Sequence, residues 1–205
     1  MRAWWSKTKC GLLAIVVLAI FFSFAGPAFG YEEKALILVD EPGISGSGPS
    51  SQQTLANLLG HFDLPYEIKA VDAYTRGDLN NFRVTFYIGS YWDKALPTDF
   101  LDDVLVTERQ VVWINFNLWR LAWGDYQQAF EQKFGFEYVQ ALPTGNFNKI
   151  TFAGRTFTRA QEIFSQVRIL DSSLAGAVAF ITNVTKRHPY IIQSGNFYFV
   201  ADDPM

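Results

Sequence analysis

Three pairs of neighbouring carboxylates are the residues of this sequence best suited to chemistry. Asp40-Glu41 follows the first apolar run, Asp102-Asp103 falls in a helical pattern, and Asp202-Asp203 comes close to Met205. Two carboxylates can share general acid and general base work when their surroundings separate their pKa values. The helical pair fits a solvated face. Asp40 is the stronger candidate, because ligands of open α/β sheets bind beyond the carboxyl ends of the strands.

Polar and aromatic side chains follow three of the predicted strands and define a candidate ligand groove. Carboxyl ends of parallel strands meet at one edge of a sheet, so we expect these side chains to lie together. Carboxylates, amides and flat aromatic rings are typical of a sugar-binding site, although the same residue types also occur in ordinary loops. The candidate groove comprises Asp40, Glu41, Ser90, Tyr91, Trp92, Asn115, Asn117 and Trp119.

Nucleophilic and metal-dependent catalysis lack the residues that they require. The turn at 115–119 reads NFNLW, without the Ser or Cys of a nucleophile elbow. The two histidines, His61 and His188, form no H-E-x-x-H or H-x-x-x-H pair. We therefore predict no catalytic residue, no metal site and no cofactor in this chain. A hydrolase that uses Asp40 is the alternative.

The elements that would position the groove alternate between strands and helices over residues 34–135. Continuous apolar runs predict buried strands, and apolar residues at helical spacing predict amphipathic helices between them. Such alternation with short connections predicts an α/β fold, a flavodoxin-like or class I amidotransferase-like three-layer parallel sheet. The predicted strands are 35–39, 65–71, 84–88 and 111–116, and the predicted helices start near Ser50, Pro97 and Leu118, the last reaching Phe134.

The sequence pattern changes after residue 135. Residues 136–205 predict a mainly antiparallel β extension of the same domain. Apolar and polar residues alternate on both sides of Ala153-Gly154, which is a hairpin pattern. The extension either continues the sheet or forms a small lobe against it. Residues 31–205 are thus predicted to form a single domain, and the further strands of the extension are predicted at 167–170, 177–182, 190–193 and 196–201.

Residues 1–30 have the three parts of a secretory signal peptide. Arg2, Lys7 and Lys9 precede an apolar run at 11–24, and a small-residue segment ends at Gly30. Cleavage there would export a secreted or cell-envelope protein, and an uncleaved membrane anchor is the alternative. The single cysteine of the chain lies in this segment, so the mature protein would contain no thiol.

Phosphate-bearing ligands are disfavoured by charge and by spacing. Loss of the three N-terminal cations changes the formal charge from −3 to −6, and an acidic body does not attract nucleic acid. The glycines of the loop after the first strand, Gly43, Gly46 and Gly48, match neither a dinucleotide-binding nor a Walker pattern. We predict no nucleic-acid partner.

Several uncommon sequence words resemble a known family. These are LANLLGHF at 55–62, FYIGS at 86–90, VVWINFNLWRLAW at 111–123 and SGNFYFVADDPM at 194–205. They resemble the N-terminal region of uncharacterised secreted bacterial proteins that carry a polysaccharide-deacetylase-like domain. The resemblance implies that a (β/α)-barrel follows this region, and that the barrel of active relatives holds a divalent metal on Asp and His ligands.

The function expected from this resemblance is that of a non-catalytic accessory module. It would bind polysaccharide or pack against the C-terminal deacetylase-like domain, which is absent from this chain, so that the chain would be a fragment or a truncated relative. In the alternative, the chain is part of a metal-dependent deacetylase acting on chitooligosaccharide or peptidoglycan. The catalytic residues would then lie beyond Met205, and the membrane would be contacted only through the signal segment.

Overall fold

The computed structural model describes residues 32–40, 47–143, 147–159 and 163–203. The predicted signal peptide at 1–30 and Glu41 of the candidate groove lie outside the described residues, as do Gly43 and Gly46. None of the helices within the described ranges combines the length and the apolar character needed to cross a bilayer.

A mixed sheet of nine strands forms the centre of the described structure, in the order β2-β1-β3-β4-β11-β10-β9-β6-β7. The first five strands of that order are parallel, and the remaining four pair antiparallel. Strands β5 and β8 form a separate antiparallel pair. The strands are β1 Glu32–Val39, β2 Tyr66–Ala70, β3 Phe82–Gly89, β4 Gln110–Asn115, β5 Phe136–Pro143, β6 Lys149–Phe152, β7 Arg155–Thr158, β8 Ile163–Ile169, β9 Ala175–Thr182, β10 Arg187–Ser194 and β11 Phe197–Val200.

Within the described ranges, four α-helices accompany these strands, and two of them are short. They are α1 Ser47–Gly60, α2 Thr98–Val106, α3 Trp119–Ala122 and α4 Gln127–Phe134. The helix predicted from Leu118 to Phe134 is interrupted, because Trp123 is extended and Gly124 adopts a φ of +64°. The connection from β2 to β3 consists of 3₁₀ turns at Val71–Ala73 and Asp78–Asn81.

The predicted flavodoxin-like or class I amidotransferase-like three-layer parallel sheet is wrong. The C-terminal half does not stay outside a parallel core, since β11 pairs with β4 in the middle of the sheet. Strands β10, β9, β6 and β7 then extend the same sheet antiparallel, and hairpins of this kind need no crossover helix. The result is a mostly β mixed sheet with few helices. Local patterns predicted strands, but they could not predict which edges would pair.

Aromatic packing holds the helices on the sheet. Phe100 of α2 stacks on Trp113 of β4, with ring centroids 5.6 Å apart and planes 20° apart. Phe134 of α4 lies 4.5 Å from Phe197 of β11. All three ring pairs formed by Tyr87, Phe100 and Trp113 lie within 5.6 Å, and their burial contributes on the order of 2 kcal/mol for each side chain. This packing fixes β3 and β4, whose carboxyl ends carry the candidate site.

Candidate functional site

Asp40 lies just beyond β1 and is almost completely buried, with 1% of its surface exposed. Its Oδ1 accepts a hydrogen bond from the Tyr87 hydroxyl at 2.6 Å. Its Oδ2 accepts from the backbone N–H groups of Ser90 and Tyr91, both at 2.7 Å. Burial raises the pKa of Asp40, while these three hydrogen bonds act in the opposite direction. The carboxylate therefore ties β1 and β3 to the loop after β3.

Asn117 extends this contact to the segment after β4. Its Nδ2 donates to the Tyr87 hydroxyl oxygen and to the Tyr91 carbonyl, both at 2.9 Å. Its Oδ1 accepts from the N–H of Lys94 at 3.1 Å. Burial and the neighbouring Asp40 carboxylate raise the pKa of Tyr87 well above its ordinary value, so its hydroxyl remains a donor. Asp40, Tyr87 and Asn117 form one buried polar network.

The turn after β4 is positioned by backbone contacts with β3. Asn115 donates from Nδ2 to the Gly89 carbonyl at 3.0 Å, and the Phe116 N–H donates to the same carbonyl at 3.3 Å. Trp113 donates from its indole N–H to the Phe116 carbonyl at 2.8 Å. A Cβ atom at Gly89 would lie 2.5 Å from the Phe116 carbonyl oxygen. The close approach of the two backbones therefore requires glycine at this position.

Five aromatic side chains pack in series at this edge, and we call them the aromatic platform: Trp92, Phe116, Trp119, Tyr138 and Trp123. The centroid of Trp92 lies 5.3 Å from Phe116 and 4.6 Å from Trp119. Tyr138 of β5 lies 5.7 Å from Trp119 and 5.1 Å from Trp123. The two ends of the platform are open, with Trp92 55% and Trp123 45% exposed, whereas Trp119 between them is 9% exposed.

Asp93 connects the loop after β3 to helix α3. Its carboxylate accepts from the indole N–H of Trp119 at 3.0 Å and pairs with the Arg120 guanidinium, also at 3.0 Å. The guanidinium donates in addition to the backbone carbonyls of Asp93 and Lys94, at 2.8 and 3.1 Å. This is an exposed carboxylate beside two indoles in contact, and it is able to accept hydrogen bonds from ligand hydroxyls.

The structure brings together the predicted groove residues that it describes, but it gives them different positions. Asp40, Asn115 and Asn117 are buried and support the backbone, while Tyr91 and Trp92 are exposed at the edge. Ser90 contributes its backbone N–H to Asp40. Among these predicted residues, the accessible side chains are therefore aromatic rather than acidic.

Sequence reasoning missed five members of this arrangement: Tyr87, Asp93, Phe116, Trp123 and Tyr138. Tyr87 is part of the predicted strand at 84–88, and its hydroxyl group in a mostly apolar strand could have indicated a buried polar contact. Asp93 and Phe116 lie next to residues that were included, and Trp123 follows Trp119 by four residues. Tyr138 comes from β5, and no local pattern places that strand beside Trp119.

The other two carboxylate pairs have structural partners. Asp202 is buried beside β11 and contacts the Tyr190 hydroxyl and Arg159, while Asp203 accepts from the hydroxyl of Ser51. Since β11 is parallel to β4, this second cluster lies on the same edge of the sheet as Asp40.

The Asp102-Asp103 pair of α2 was predicted to lie on a solvated face, and this is correct for Asp102 but wrong for Asp103. Asp102 faces outward and pairs with Arg76 at 2.9 Å. Asp103 is buried, and it accepts from the Tyr74 hydroxyl at 2.6 Å and from the Gly77 N–H at 2.5 Å.

The two histidines lie on different elements. His61 is exposed just after α1, and His188 of β10 packs against Phe147 at 5.3 Å. Among the residues that the structure describes, no group of three His, Cys, Asp or Glu side chains is arranged to hold a metal ion.

Comparison with solved structures shows the fold. A ThuA-like protein from Bacteroides uniformis superposes with a TM-score of 0.56, covering 88% of this chain and 86% of that one, at 11% identity. A ThuA-like protein from Parabacteroides merdae gives a TM-score of 0.43 at 8% identity, covering 82% and 78%. No protein-family model matches the chain, and the curated proteins contain no match. The first comparison establishes a fold shared with a ThuA-like protein.

Proposed function

We propose that this domain is a non-catalytic polysaccharide-binding module that uses the aromatic platform. The observation that carries the proposal is the pair of half-exposed tryptophans, Trp92 and Trp123, at the two ends of one series of tilted and edge-to-face aromatic contacts. Trp119 and Tyr138, which lie between them, are 9% and 4% exposed, so the surface offers a ligand two separate indole rings held by one buried aromatic series.

The chemistry of the platform suits a sugar chain. The C–H face of a pyranose ring is apolar and can lie flat on an indole, whose face is electron-rich. The hydroxyl groups around the ring need polar partners, which the Asp93 carboxylate and the exposed Tyr91 side chain can supply. Trp119 donates its indole N–H to Asp93 and is thereby held in place.

We further propose that the module is exported and serves a polysaccharide-deacetylase-like protein. This part rests on the sequence words at 86–90, 111–123 and 194–205 and on the signal pattern at 1–30. The catalytic residues and the divalent metal would belong to a deacetylase-like domain beyond Met205.

Binding to insoluble polysaccharide tests the proposal. The purified protein is incubated with chitin or peptidoglycan, and a bacterial exopolysaccharide is tested by affinity electrophoresis. Trp92→Ala and Trp123→Ala should each weaken retention about tenfold, the effect expected for an anchoring aromatic side chain. Tyr66→Ala is the matched control, because Tyr66 is exposed to a similar degree but begins β2 at the opposite edge of the parallel strands. Absence of retention on all three polysaccharides would defeat the proposal.

A further inference from the structure

We propose that Asp40 is a positioning residue for the aromatic platform, which it controls through a buried polar network. The inference deepens the proposed function, on which its ligand depends. The inference predicts that Asp40 fixes the relative positions of the Trp92 and Trp119 side chains, and this can be tested without any ligand.

The first step is the contact between Asp40 and the loop at 90–94. An ionised carboxylate accepts hydrogen bonds and donates none, and here it meets three donors. Two of these donors are the N–H groups of Ser90 and Tyr91, the residues that directly precede Trp92. Hydrogen bonds from consecutive amides to one oxygen restrict the backbone from which the Trp92 side chain extends.

The second step joins this loop to the segment that carries Trp119. The Tyr87 hydroxyl donates to Asp40 and accepts from Asn117. Asn117 in turn holds the Tyr91 carbonyl and lies two residues before Trp119. Both indoles of the tilted Trp92–Trp119 pair are therefore anchored to the same carboxylate, one directly and one through Tyr87.

Burial explains why this network positions side chains rather than reacting with a ligand. Asp40, Tyr87 and Asn117 are each no more than 1% exposed. A substrate would have to enter this buried network and reach one of the carboxylate oxygens before Asp40 could exchange a proton with it. Removing a buried acceptor leaves its donors unsatisfied, so the surrounding loops would rearrange to regain partners.

The circular dichroism of the indole pair provides the test. Two indoles with centroids 4.6 Å apart are close enough for exciton coupling, which gives a paired signal in the ultraviolet spectrum. Trp92→Phe assigns this signal by abolishing it. Asp40→Ala should reduce the signal by about half or more and weaken polysaccharide retention about tenfold, as expected when an anchoring side chain loses its ordered position.

Two further variants separate positioning from a general loss of stability. Asp40→Asn keeps a carbonyl oxygen able to accept from both backbone amides, so it should retain most of the signal. Asp202→Asn is the matched control, because Asp202 is an equally buried carboxylate on the same edge that contacts Tyr190 and Arg159. It should lower stability and leave the indole signal intact.

The outcomes distinguish the two proposals. Folded Asp40→Ala with an unchanged signal would overturn the positioning of the platform and leave the binding proposal standing. If Asp40→Ala loses the indole signal but the wild-type protein binds no polysaccharide, the positioning role of Asp40 stands and the binding proposal is rejected. If Asp40→Ala does not fold, Tyr87→Phe decides, because it cuts the link to Asn117 while keeping the aromatic ring. Loss of the signal in that variant supports the inference and an unchanged signal rejects it.

Discussion

At the scale of single residues, the candidate site is built from polar side chains that face inward. Asn115 and Asn117 both adopt positive φ values, 71° and 70°, in the turn after β4. Asparagine tolerates this conformation better than most residues, because its short side chain bonds the local backbone. In this turn the two side-chain amides donate instead to carbonyls 26 residues away in sequence, those of Gly89 and Tyr91. The amides thus shape the turn that presents Trp119.

The close approach at Gly89 leads to a prediction about stability. Gly89→Ala should lower the free energy of unfolding by about 2 kcal/mol, because the added methyl group overlaps backbone rather than a movable side chain. Urea denaturation measures the change. Gly176→Ala is the control, since nothing lies within 4 Å of a Cβ atom there and its effect should stay within about 0.5 kcal/mol. Equal effects of the two substitutions would argue against the close approach.

Asp78, in the turn before β3, should make the stability of the protein depend on pH. Although burial acts to raise the pKa of Asp78, the bonds from Lys69 and Thr75 lower it below its ordinary value. The stabilisation is therefore present above the unfolded-state pKa and is lost as the pH falls through the folded-state pKa. Asp78→Asn should lose about 1 kcal/mol at about pH 7, and its difference from wild type should vanish by about pH 2.

Unfolding by urea at several pH values checks this prediction. Lys69→Met removes the cation 2.5 Å from Asp78 and should reduce the same acid-dependent stabilisation. A stability difference that stays constant from neutral to acidic pH would show that Asp78 is not responsible for it.

At the scale of elements, α2 shows how neighbouring carboxylates on one helix differ in role. Asp103 turns toward the 3₁₀ segment that contains Leu79 and binds Tyr74 and Gly77, while Asp102 stays at the surface. Burial and the bond to Asp103 raise the pKa of Tyr74, so the Tyr74 hydroxyl remains a donor. The helix is thereby fixed to the connection that leads into β3.

This difference predicts unequal effects of two adjacent substitutions. Asp103→Ala should destabilise the protein by about 2 kcal/mol, because the buried Tyr74 hydroxyl and the partly buried Gly77 N–H lose their acceptor. Asp102→Ala removes exposed contacts and should change stability by less than about 1 kcal/mol. Thermal or urea denaturation of the pair compares them directly. Equal losses would contradict the buried role of Asp103.

At the scale of the whole molecule, β11 joins the two halves of the chain. All four of its residues are buried, and the strand pairs with β4 on one side and with β10 on the other. The C-terminal half therefore completes the centre of the sheet. Such a strand opens only when the whole domain unfolds.

Hydrogen exchange measured by mass spectrometry checks the role of β11. Amides of Phe197–Val200 should exchange as slowly as those of β4, at rates set by global unfolding. Strand β7 is the control, because it lies at the edge of the sheet and is mostly exposed. If β11 exchanged as fast as β7, the C-terminal half would be an appendage and not the centre of the sheet.

The sequence by itself determined where several strands lie. The predicted strands at 35–39 and 84–88 fall within β1 and β3, and the one at 111–116 matches β4 to within one residue. Continuous apolar runs are local signals of burial on both faces, so one stretch of sequence is enough to identify them. The same signals placed Trp92 and Trp119 at neighbouring strand ends.

Tertiary structure decided the pairing of the strands and the accessibility of the site. A parallel and an antiparallel neighbour satisfy the same backbone groups, so the run at 197–200 does not specify that it pairs with β4. Asp40 follows β1 as predicted, but three donors from distant residues turn its carboxylate inward. Tyr138 reaches Trp119 and Trp123 from β5. These contacts join residues far apart in sequence, and the positions of such residues become fixed only when the sheet assembles.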